Sequence, residues 1–115
     1  MWATTVVFAV AAGVGLTMAM AAFQGRFPPV ASAVVHGVLA ATGLLLLLYG
    51  VFMRGVMGAP RWALGFFVLA ALGGSVLAFG FHARGRSLPR GYVLGHASVA
   101  VIGFLILLAA ALHLL

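Results

Sequence analysis

Two histidines, His36 and His96, lie inside long apolar runs. Each follows a proline by seven residues, Pro29 and Pro89, and each proline follows an arginine, Arg26 and Arg86, by three. An imidazole in an apolar run is costly, because its ring nitrogens need partners there. Placing one twice, at the same offset from an Arg and a Pro, points to shared chemistry. Small residues follow at helical spacing in both halves: Ala40 and Gly43 after His36, Ala100 and Gly103 after His96. Neutral imidazole is a common protein ligand of haem iron, and two of them on facing helices can hold one haem b between them. In that reading Gly43, Gly103, Ala40 and Ala100 make room for the macrocycle. Arg26, Arg86 and Arg90 lie at the adjacent interface, where propionates would emerge. Bacteriochlorophyll and quinone are alternative ligands. So is no ligand at all, since histidine in a membrane bundle often donates to a carbonyl across helices, and small residues often serve close packing.

These side chains need helices to carry them. Four apolar segments, about 3–23, 31–53, 62–83 and 91–115, each approach the ~20 residues that cross a bilayer. Backbone polar groups cannot stay unpaired in lipid, so the segments are expected to be helices. Each histidine then sits about 10 Å along its helix from the proline that starts it. The first segment lacks a basic n-region and is too long for a signal peptide, so it is expected to be a span. Short connections holding Pro28-Pro29, Gly55, Gly58 and Pro60, then Gly85 and Pro89, imply antiparallel neighbours. The expected fold is all-α: an integral membrane four-helix up-down bundle.

Composition supports lipid as the solvent. Of 115 residues, 66% are hydrophobic and 5% charged, a balance that no water-soluble domain of this size can cover with polar surface. There is no Asp or Glu, which leaves no carboxylate base, and no Cys, which excludes disulfides, thiolate-held metals and a thiol nucleophile. Catalysis by the chain alone is therefore not expected. The net charge of +6 is carried by arginines in the short connections, where they anchor helices rather than bind nucleic acid.

The chain reads as two repeats, 1–55 and 61–115, aligned without a gap. The informative matches are Trp2/Trp62, Arg26/Arg86, Pro29/Pro89 and His36/His96. Two spans per repeat give both halves one orientation, hence a pair of parallel-repeat hairpins about an axis along the membrane normal. Arg26, Arg84, Arg86 and Arg90 share one end and Arg54 and Arg61 the other, so the positive-inside rule places both termini in the periplasm.

In the twice-repeated His-on-helix with nearby Arg, the chain resembles small b-type cytochrome membrane subunits. It is also similar to small bacterial four-helix membrane proteins with a repeated Pro…His…Gly hairpin. The resemblance implies a haem-binding accessory subunit for electron transport in the bacterial inner membrane, with other membrane subunits as partners. A ligand-free accessory subunit is the alternative. Of the remaining histidines, His82 is expected to cap the third helix beside Arg84, and His113 to lie at the far interface.

Overall fold

The computed structural model describes residues 1–115 and is all-helical. Helix α1 spans Trp2–Phe23. Helix α2 spans Val30–Leu48 and runs on as a π-helical turn, Tyr49–Met53. Helix α3 spans Ala59–Ser75, followed by a π-helical turn, Val76–Phe81, and a 3-10 turn, His82–Arg84. Helix α4 spans Arg90–Ala111. All four are long and apolar enough to cross a membrane.

The helix ends follow from local chemistry. Pro29 and Pro89 occupy the N-cap positions of α2 and α4, and neither helix has a side-chain cap. At the ends of α1 and α3, Gly25 and Gly85 take positive φ values of 73° and 66°. Arg26 N–H then donates to the Ala21 carbonyl and Arg86 N–H to the Phe81 carbonyl, at 2.8 and 2.9 Å, which closes both helices in the same way. The last helix stops at Ala111, short of the expected 115. His113 takes the left-handed conformation at φ 58°, and Leu114 N–H donates back to the Ala109 carbonyl at 2.8 Å.

Sequence-adjacent helices pack together, and α4 also packs on α1. No helix has the polar face of a water-exposed helix. Phe52, Trp62 and Phe79 are each 73% exposed. The interior is divided in two. One apolar cluster holds Phe8, Leu47, Val51, Ala63, Leu64, Phe67 and Leu107; a smaller one holds Ala22, Leu77 and Val93. Phe8 of α1 and Phe67 of α3 stack across the first cluster, with ring centroids 3.7 Å apart.

The two halves repeat these contacts in a register that a gap-free alignment does not give. Thr4, Thr5, Phe8 and Ala11 are buried in α1, and Ala63, Leu64, Phe67 and Ala70, each 59 positions later, are buried in α3. Beyond the π turn the offset is 60, as in Gly25/Gly85. A π turn accommodates one extra residue without breaking the helix. Trp2/Trp62 and Ala3/Ala63 therefore match in letters and not in place, and the repeat contains a one-residue insertion within α3.

Candidate functional site: a paired-histidine layer

His36 on α2 and His96 on α4 come together, with ring centroids 6.2 Å apart and planes at 81°. Both rings are part-buried. Each is tied to the preceding helix of its own hairpin: His36 Nδ1 to the Ala11 carbonyl and His96 Nδ1 to the Ala70 carbonyl, both at 2.8 Å. A carbonyl only accepts, so Nδ1 carries the proton in each bond, and the neutral ring keeps its lone pair on Nε2. Neither Nε2 has a hydrogen-bond partner within the chain, and neither is sealed off as a buried orphan. The layer thus holds two oriented imidazoles, each with an available lone pair.

The backbone makes room for the rings at two glycines. A Cβ on Gly15 of α1 would stand 2.9 Å from His36 Cε1 and 3.1 Å from its Nδ1. A Cβ on Gly74 of α3 would stand 3.0 Å from His96 Cε1. Ala11, Gly15, Ala70 and Gly74 so form the wall against which the imidazoles lie. The acceptor of His36 is 25 residues back and that of His96 is 26 back, the difference being the extra residue of the α3 π turn.

The other expected site residues are distributed differently. Gly43 and Gly103 are buried, but a Cβ on Gly43 would strike the Phe8 ring at 2.9 Å, and one on Gly103 would meet Phe66 Cβ at 3.0 Å. They admit neighbouring aromatic side chains, so the room assigned to them for a macrocycle is already filled by packing. Ala40 and Ala100 are half-buried one turn beyond the histidines. The guanidinium groups lie in the connections. Arg26 donates to Gln24 Oε1 at 2.5 and 3.0 Å. Arg86 lies 4.8 Å over the Phe81 ring, and Arg90 Nη2 reaches the Phe23 carbonyl of α1 at 3.1 Å.

His82 is more than a helix cap. It is buried, its Nε2–H donates to the Pro28 carbonyl at 2.7 Å, and Phe27 stacks on it at 4.5 Å. This contact locks the α3 end to the α1–α2 connection, 54 residues away. Sequence reading missed Gly15 and Gly74. Their signal is a one-residue gap in the repeat, which brings Phe8/Phe67, Ala11/Ala70, Ala12/Ala71, Gly15/Gly74 and Ala19/Ala78 into register.

Comparison with known proteins gives no family model, curated protein or solved structure that matches this chain.

Proposed function

We propose that the chain is a multi-pass subunit of a bacterial inner-membrane complex that holds a b-type haem between α2 and α4 for electron transfer. The observation that carries this reading is the 6.2 Å separation of the two imidazole rings. A metal–imidazole bond of about 2 Å on each side, with about 1 Å from nitrogen to ring centre, requires a separation of about 6 Å. The donor set also suits the group. Each Nδ1 is fixed by a carbonyl, the outer-shell bond that orients a ligating histidine and leaves Nε2 for the metal. Only Ala and Gly line the layer on α1 and α3, and the apolar bulk lies in two clusters outside it. His36 and His96 would hold the iron, and Arg26 and Arg90 would supply countercharge to the propionates. The bound group would supply one-electron chemistry; the protein residues orient it and exclude water.

The membrane setting rests on four apolar spans and a long dimension of 41 Å, close to the ~40–45 Å of a bilayer with its headgroup regions. Short connections and neighbour packing support an up-down order, with both hairpins in one orientation. The arginine-rich connections would face the cytoplasm, and both termini the periplasm.

The test is the visible spectrum of protein purified from cells supplied with haem precursor. Expected are a Soret band and, on reduction, the sharp bands of a low-spin b-type centre. His36→Ala and His96→Ala should each abolish the low-spin spectrum, and His113→Ala should leave it intact. A colourless wild-type protein would overturn the reading. It would favour the second one, a ligand-free accessory subunit in which the His36–Ala11 and His96–Ala70 bonds only tie helices together.

A further inference from the structure

The outer surface carries two grooves, one per hairpin. The groove between α1 and α2, of about 390 Å³, is lined by Gly13, Val14, Thr17, Ala31, Ser32 and Val35. The groove between α3 and α4, of about 440 Å³, is lined by Leu69, Gly73, Val76, Tyr92, Gly95 and His96 among others. Both are apolar and equally open to a lipid chain; what differs is the charge at the mouth. Tyr92 lies against Phe81, ring centroids 6.0 Å apart, and the Arg86 guanidinium lies 4.8 Å over that same Phe81. Arg84 is exposed two residues before Arg86. No acid exists anywhere in the chain to neutralise these groups. At the corresponding end of the first hairpin there is one arginine, Arg26, and Gln24 Oε1 already accepts from it.

We infer that the α3–α4 groove is a binding site for one anionic phospholipid, with an acyl chain along Gly73, Gly91 and Gly95 and its phosphate on Arg86 and Arg84. An acyl chain is the length and chemistry of the groove. A guanidinium pairs with phosphate through two parallel N–H bonds, which a zwitterionic lipid satisfies less well because its own ammonium competes. The α1–α2 groove takes lipid chains without selecting the headgroup. The inference rests on residence in a bilayer and is independent of any haem.

The test uses the full-length protein in detergent, equilibrated with equal amounts of phosphatidylglycerol and phosphatidylcholine of the same chains, with retained lipid read by native mass spectrometry. One phosphatidylglycerol should be retained per chain, preferred by about 25-fold on the basis of about fivefold for each of two arginines near an anionic headgroup. Arg86→Gln should cut that preference about fivefold. Gly95→Leu should remove the retained lipid, and a side chain there meets no atom of the protein within 4 Å, so the fold is undisturbed. Gly13→Leu, equally unobstructed, fills the other groove and should leave the retained phosphatidylglycerol in place. Equal retention of the two lipids, a quinone retained instead, or Gly13→Leu acting like Gly95→Leu would each overturn the inference. The Soret band recorded on the same samples separates the two proposals: a colourless protein that selects phosphatidylglycerol overturns the haem and keeps this site.

Discussion

Gly15 and Gly74 set how closely each imidazole approaches the helix that accepts its proton. With a methyl group 2.9 Å from His36 Cε1, either the ring or the helix must move, and the Nδ1 bond to Ala11 is lost or bent. Gly15→Ala and Gly74→Ala are therefore expected to broaden or abolish the low-spin spectrum. Gly13→Ala, where a Cβ meets nothing within 4 Å, should leave it unchanged. Magnitudes separate this from a purely mechanical role. An interhelical side-chain hydrogen bond in a membrane is worth about 0.6 kcal/mol on average. His36→Ala should accordingly lower thermal stability only slightly while removing the whole spectrum. A large stability loss in a protein that never carried a spectrum would assign the histidines to packing. The histidine pair itself was legible from its repeated offset to Pro29 and Pro89. The wall behind it was not, because a glycine that makes room for a ring looks the same in sequence as one that makes room for a helix. Gly43 and Gly103 show the reverse: read as room for a ligand, they seat Phe8 and Phe66.

At the scale of the helix, the π turn Val76–Phe81 decides what faces inward at the end of α3. One residue advances an α-helix by about 100°, so deleting a residue here re-aims everything that follows. Phe79 is 73% exposed, and its deletion removes no buried contact of its own. The expected result of deleting Phe79 is unchanged helicity with His82 rotated away from the Pro28 carbonyl and from Phe27. Losing one hydrogen bond and one stacked pair should cost about 1–2 kcal/mol. The melting midpoint in detergent should fall accordingly. The histidine layer should persist, because Ala70 and Gly74 precede the turn. The helices themselves were legible, since four runs of near-continuous apolar residues leave no other solution in lipid. The π turn was not, because nothing in Val76-Leu77-Ala78-Phe79-Gly80-Phe81 differs from an ordinary apolar helix in composition. His82 was read as a local cap because its partner is a backbone carbonyl of a distant loop, which sequence periodicity does not reach.

For the molecule as a whole, orientation follows from four arginines at one end against two at the other. Alkaline phosphatase fused after Leu115 should be active, and a cytoplasm-dependent reporter at the same point silent; the opposite pattern would reverse the topology. Each histidine closes its bond within its own hairpin, His36 onto α1 and His96 onto α3, and the layer is completed only when the hairpins meet. That division has an evolutionary consequence. A half-length ancestor with one such hairpin already holds one imidazole in place, and two copies of it related by symmetry supply both. In such a homodimer every substitution strikes both copies at once. Fusing the copies into one chain ended that constraint. The features that now break the symmetry, an inserted residue in α3 and a second connection with Arg84, Arg86 and Arg90 where the first has only Arg26, are changes a symmetric pair could not have made on one side alone.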